Sequence, residues 1–172
     1  MNIYIIGYRG TGKTHVGNEL AKALGKEFID TDDLIVERAG KKIPEIFGQD
    51  GEEKFRDIES AVLSEIAARD GLVVGCGGGI ILREDNIEKL KKSGVVILLE
   101  APPEKIYARI RGDSNRPALT DKDEFEEIRH VLAERKGNYE KAADHRVDAG
   151  NFSIRENVGQ IIEILKKEKA IE

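Results

Sequence analysis

The chain has 172 residues, 40% of them apolar and 35% charged, with a formal net charge of −5 and one cysteine. That length and apolar share suit one domain with a substantial core, and the acidic balance excludes a surface that attracts nucleic acid or anionic membrane over its whole area. A lone cysteine excludes an intrachain disulfide framework and thiolate metal clusters, and no apolar run approaches the ~20 residues that cross a bilayer.

The first residues lack the basic and apolar regions of a secretion signal. A cytoplasmic protein with neither nucleic-acid nor membrane partners is therefore expected, and a monomer is the expected state, although no sequence feature fixes it. In chain order, Ile3 to Ile6 is an apolar strand, followed by Gly7-Tyr8-Arg9-Gly10-Thr11-Gly12-Lys13-Thr14. This G-x-x-x-x-G-K-[ST] pattern between a strand and a helix is a phosphate-binding loop. Its glycines let backbone amides close around phosphate oxygens, the lysine reaches the outer phosphates, and the hydroxyl ligates magnesium. Val16, Leu20, Ala23 and Leu24 then recur at helical spacing up to Gly25, a residue suited to end a helix.

Glu27 to Asp30 reads as a short strand leading into Asp30-Thr31-Asp32-Asp33. Asp30 and Asp32 are expected to alternate along an extended segment, with Asp33 as the cap of the helical run from Leu34 to Ala39. A short helix opens at Ile43-Pro44. A longer one follows Gly51, with Phe55, Ile58, Ala61, Val62, Leu63 and Ile66 on its apolar face. Leu72 to Val74 is a strand, and Gly77-Gly78-Gly79 follows it. A helix from about Arg83 to Lys92 precedes Val95 to Leu99, whose branched aliphatics suit a strand buried on both faces. Glu104 to Arg111 is helical, 112–120 is a polar loop long enough to be a lid, and Asp123 to Lys141 is a long charged helix. Arg146 to Asp148 forms a last strand. A final amphipathic helix runs from Ile154 to Lys166, with Val158, Ile161, Ile162 and Leu165 inward. Strand and helix alternating about five times predict an α/β fold, a parallel sheet covered on both faces in right-handed crossovers. Its ligands are expected at the carboxyl ends of the strands.

Residues beyond each strand should then carry the chemistry. Asp30 and Asp32 could serve magnesium and a substrate hydroxyl, although acidic residues at a helix start are also ordinary caps. Three consecutive glycines exceed what a turn needs, which favours a bare backbone that admits a small ligand. Arg56 and Glu59, three apart on one helix, could be a surface ion pair or a braced guanidinium. Arg116 and Arg135 acquire meaning only if the fold gathers them. His15, His130 and His145 lack metal-ligand spacing and are given no chemistry of their own.

Taken in order, G-Y-R-G-T-G-K-T, D-T-D at Asp30 to Asp32, G-x-x-x-F-R-x-I-E at Gly51 to Glu59, the triple glycine, and N-R-P at Asn115 to Pro117 resemble the shikimate kinase family. The resemblance covers nearly the whole chain. It implies one P-loop kinase domain over 1–172, with a five-stranded parallel sheet, a lid at about 112–120 and a substrate-binding segment at about 32–60. It also implies transfer of the ATP γ-phosphate to the 3-hydroxyl of shikimate, with Mg²⁺ as cofactor. Carried over, Gly10, Thr11, Gly12, Lys13, Thr14, His15, Arg109 and Arg116 are the ATP set, and Thr14 and Asp30 serve the metal. Lys13, Asp32 and Arg116 are the catalytic residues. Asp32, Arg56, Gly77, Gly78, Gly79 and Arg135 face shikimate, with Glu59 bracing Arg56. The segment near Asn151 and Phe152 departs from common family patterns. A sugar-acid kinase of the gluconate type and a non-catalytic nucleotide- or shikimate-binding module are the competing readings.

Overall fold

The computed structural model describes residues 1–112, 118–119 and 122–171. The five strands are β1 (Asn2–Ile6), β2 (Glu27–Asp30), β3 (Leu72–Gly75), β4 (Gly94–Glu100) and β5 (His145–Asp148). They form one sheet in the order β2-β3-β1-β4-β5, every neighbouring pair parallel. The helices are α1 (Lys13–Leu24), α2 (Thr31–Ala39), α3 (Ile43–Asp50), α4 (Glu52–Ala67), α5 (Glu84–Ser93), α6 (Pro103–Ile110), α7 (Glu124–Ala142) and α8 (Ile154–Lys167), with a 3-10 turn at Ile80–Leu82.

Period-two alternation splits the strands between two cores. Ile3, Ile5, Val73, Ile97, Leu99 and Val147 meet Val16 and Leu20 of α1 and Val158, Ile161 and Leu165 of α8. Tyr4, Ile6, Val74, Val96 and Leu98 point to the other face, against α4, α5 and α7. Because both faces are covered, the three central strands β3, β1 and β4 are nearly all apolar, whereas the edge strands β2 and β5 carry Glu27, Asp30, His145, Arg146 and Asp148. Among the described residues no helix is long and apolar enough to cross a membrane.

The helical faces differ from expectation in detail. Ala23 and Ala61 are exposed, and the small buried residues of α1 are Gly17 and Ala21. Gly17 is there because Phe28 of β2 leaves no space: a Cβ would lie 2.3 Å from the ring. The acidic turn also differs. Asp33 is not the cap of α2. Asp30 is, its carboxylate accepting from the Asp32 amide at 2.9 Å. The helix therefore begins at Thr31, and Asp32 sits in its first turn, not on an extended strand. The carboxylate of the last residue of β2 satisfies an amide that would otherwise lack a partner, and this capping outweighs continuation of the strand.

β1 and β3 are neighbours, with Ile5 opposite Gly75, so the loops that follow them leave the sheet side by side. The Cys76 amide donates to Ile5 O at 2.9 Å. A Cβ on Gly78 would lie 3.4 Å from Gly7 O. Strand order alone thus places the phosphate loop against the triple glycine.

Candidate active site

The loop closes as its glycines permit. Gly7, Gly10 and Gly12 have φ of 146°, 77° and 94°, values that side-chain-bearing residues rarely adopt. Space is restricted as well, since a Cβ on Gly7 would lie 2.5 Å from Leu99 O. Thr11 Oγ1 donates to Tyr8 O at 2.8 Å, which ties the turn. The first amides of α1 then point out of the loop, where the helix dipole favours an anion. Lys13 Nζ curls back to donate to Gly7 O and Tyr8 O at 2.8 and 2.9 Å, so its ammonium stands over the loop. Thr14 Oγ1 donates to Asp30 Oδ2 at 3.0 Å, joining one hydroxyl and one carboxylate at the loop's exit.

On the flank of the loop toward α6, Arg109 donates to Gly10 O at 3.1 Å and to Ala149 O at 2.9 Å. Its guanidinium bridges the loop to the segment after β5. His15 is exposed in the first turn of α1 and lines a groove with Asn18, Ile154 and Val158.

The opposite flank is a pocket lined by Arg9, Asp32, Phe47, Phe55, Arg56, Glu59, Gly77 to Gly79, Leu119 and Arg135. Its apolar floor is Phe47 and Phe55, with ring centroids 4.8 Å apart. Arg56 is 6% exposed and Glu59 1%, so their pairing is buried, not a surface ion pair. Arg56 Nη1 donates to Glu59 Oε1 at 2.9 Å and Nη2 to Glu52 Oε1 at 3.3 Å. Burial pushes the Glu59 carboxyl up to about 7, against the pull of Arg56. Arg135 is 8% exposed. Among the described residues no carboxylate pairs with it, although charged side chains are almost never buried without a partner.

At Gly77 and Gly79 the fold itself requires a residue without a Cβ. A Cβ on Gly79 would lie 2.3 Å from Arg56 Nη1, and one on Gly77 would lie 2.7 Å from Asp32 Oδ1 and 3.0 Å from Glu59 Oε2. The bare backbone at these two positions admits the protein's own charged side chains. The Gly77 amide donates to Thr31 Oγ1 at 2.9 Å, and Gly78 O accepts from Tyr139 Oη at 2.6 Å. The Gly77 amide is thus engaged within the protein. Cys76 is buried and its thiol is pushed up by burial, so it is packing, as expected.

The pocket gathers Asp32, Arg56, Gly77, Gly78, Gly79 and Arg135, and Thr14 with Asp30 is a separate pair at its edge. Arg116 lies outside the described residues. The sequence reading passed over Arg9, Glu127 and Tyr139. Glu127 and Tyr139 are buried on α7 at positions eight before and four after Arg135, on the same helical face. That spacing was available in the sequence, but two polar residues within a charged helix look solvated. Arg9 stands at an unconstrained position of the loop pattern, and nothing in its spacing marks it.

The shikimate kinase family model matches residues 9–166. A shikimate kinase of Pelotomaculum thermopropionicum is 43% identical over 171 residues, 99% of each chain. Among solved structures, a shikimate kinase from Acinetobacter baumannii in complex with shikimate superposes with a TM-score of 0.94 at 37% identity, covering 98% of this chain and 94% of that one. The shikimate kinase of Aquifex aeolicus gives a TM-score of 0.85 at 31% identity, covering 98% of each chain.

Proposed function

The chain belongs to the shikimate kinase family, and we propose that the pocket between α4, α7 and the triple glycine holds shikimate while the loop Gly7–Thr14 presents ATP. The reaction moves the γ-phosphate of ATP to the 3-hydroxyl of shikimate, giving shikimate 3-phosphate and ADP, a phosphotransfer to an alcohol. One observation carries the site assignment. Arg135 is a buried guanidinium without a carboxylate partner among the described residues, facing the same pocket as Arg56 and Asp32. Two guanidiniums above an apolar floor suit a small carboxylate on a hydrophobic ring.

Phosphoryl transfer asks a protein for position and charge neutralisation more than for covalent chemistry. Lys13, standing over the loop, neutralises the transferred group. Asp32, next to Gly77, orients the attacking hydroxyl and receives its proton. Arg56 and Arg135 hold the carboxylate, with Glu59 bracing Arg56. The amides of Gly78 and Gly79 serve the ring hydroxyls, and Gly77 makes room. Gly10, Thr11, Gly12 and Thr14 cradle the phosphates, Arg109 braces the loop beside the base, and His15 flanks it. Arg116 and the lid at about 112–120, like the acceptor segment at about 32–60, belong to the same proposal.

Magnesium fits the donors present, which are hard oxygens. Thr14 Oγ1 and Asp30 would hold it, the latter through water, and it would neutralise charge between the outer phosphates. Among the described residues no group of three or more His, Cys, Asp or Glu side chains forms a metal site. A cytoplasmic monomer that binds neither nucleic acid nor membrane completes the proposal, and sedimentation velocity tests its oligomeric part.

The experiment is a coupled ADP-release assay with shikimate, gluconate, quinate and nucleoside monophosphates as acceptors. Turnover with shikimate alone is the expected result. Turnover with gluconate alone, or none with any acceptor, overturns the assignment.

A further inference from the structure

Among the described residues three arginines, not two, line the acceptor pocket: Arg56, Arg135 and Arg9. Arg9 is held from behind. Its Nη2 donates to Glu127 Oε1 at 2.8 Å, while the Leu119 amide donates to Glu127 Oε2 at 2.9 Å. Glu127 is 2% exposed, so this carboxylate stands in a low-dielectric setting where its charge acts strongly on its neighbours. It joins the phosphate loop, the first turns of α7 and Leu119 at the pocket's rim.

The reaction changes the charge of what the pocket holds. The acceptor enters with one carboxylate, and the product leaves with a phosphate in addition, formed beside the loop that carries Arg9. A guanidinium at liberty there would add bidentate hydrogen bonds to that phosphate, strengthening a complex that must dissociate for turnover. Resting on the assignment of the pocket to shikimate, we propose that Glu127 is a positioning residue that sets product release: by engaging Arg9, it keeps the third guanidinium from gripping the newly formed phosphate. Glu127 touches no substrate in this scheme and acts through Arg9. Specificity follows as well, because the pocket is matched to a monocarboxylate and not to a phosphorylated one.

Glu127→Gln is nearly isosteric but neutral. Its single amide oxygen can no longer accept from both Arg9 and the Leu119 amide with full charge. The affinity for shikimate 3-phosphate, measured by calorimetry in the presence of ADP, should rise about tenfold, the effect of one charge-assisted hydrogen bond, with shikimate affinity within about threefold of the parent. Steady-state kcat should fall while the pre-steady-state burst of product persists, a division that a merely structural defect does not give. The double variant Arg9→Gln/Glu127→Gln should return product affinity to within about twofold of the parent. Unchanged product affinity in the single variant, or tight binding that survives in the double variant, overturns the proposal. Should Glu127→Gln fail to fold, Arg9→Gln alone, which keeps a donor toward Glu127, tests it from the other side. Product affinity close to the parent supports the restraint, and a tenfold weakening shows that Arg9 already grips the phosphate and refutes it. Activity of the parent with shikimate is scored separately, so failure of the pocket assignment is distinguishable from failure of this role.

Discussion

Gly79→Ala separates the packing role of the triple glycine from a backbone one. At φ −98° and ψ 6°, Gly79 has a conformation open to alanine, so backbone strain does not enter. The added Cβ would stand 2.3, 2.5 and 2.6 Å from Nη1, Nη2 and Cζ of Arg56, where ordinary contact needs roughly 3.5 Å. The guanidinium must therefore retreat by about 1 Å. Starting from 2.9 Å to Glu59 Oε1, such a move strains or breaks that hydrogen bond and carries the guanidinium off a ligand carboxylate. Loss of one charge-assisted hydrogen bond to the ligand costs about 1.5 to 3 kcal/mol. That corresponds to a rise of roughly ten- to a hundredfold in shikimate KM and Kd.

Stability should change little, because replacing glycine adds about 0.4 to 1 kcal/mol through the unfolded chain and offsets the weakened Arg56 pairing. The Tm should stay within about 4 °C of the parent. The assay is coupled ADP release, with shikimate and ATP titrated separately, alongside calorimetry of shikimate. Gly159→Ala, where a Cβ would meet nothing within 4 Å, is the control. A shikimate KM within twofold of the parent in folded Gly79→Ala would refute the close-packing argument, and an equal rise in ATP KM would refute its localisation to the acceptor pocket.

Asp32→Asn should depress kcat by at least about a hundredfold and change shikimate Kd little, measured by single-turnover kinetics and calorimetry. Arg135→Ala should weaken shikimate binding by roughly tenfold or more, and an unchanged Kd would show the carboxylate clamp to be misassigned. For Glu59, the folded carboxyl at about 7 lies above its ordinary 4.5 because of burial. The folded state thus binds this proton more tightly than the unfolded chain, and stability is lost as pH rises through that window, on the order of 3 kcal/mol in all. Glu59→Gln should lack this component, so the ligand-free parent should lose more Tm than the variant between pH 5 and pH 8; parallel slopes would contradict it. Gly94→Ala would place a Cβ 2.2 Å from Asn2 O, within the β1–β4 pairing, and should destabilise by at least about 1 to 3 kcal/mol in chemical denaturation.

Chain order and residue type determined the parallel α/β architecture and the phosphate loop, because both rest on local rules. Buried strands must be aliphatic on both faces, and Gly7, Gly10 and Gly12 permit a backbone that few other residues allow. The order of five motifs likewise pointed to the family before any coordinate. Tertiary structure decided what depends on residues far apart in sequence. It placed Arg56 of α4 under Gly79, turning a pair that resembles a surface contact into a buried brace. It set Asp32 in a helical turn, since Asp30 caps α2, and brought Glu127 of α7 to Arg9 of the loop, 118 positions away. Periodicity reports which face of an element is buried, but the partner across the gap is chosen by strand order and packing, and charge on a buried face acquires its role only from that partner.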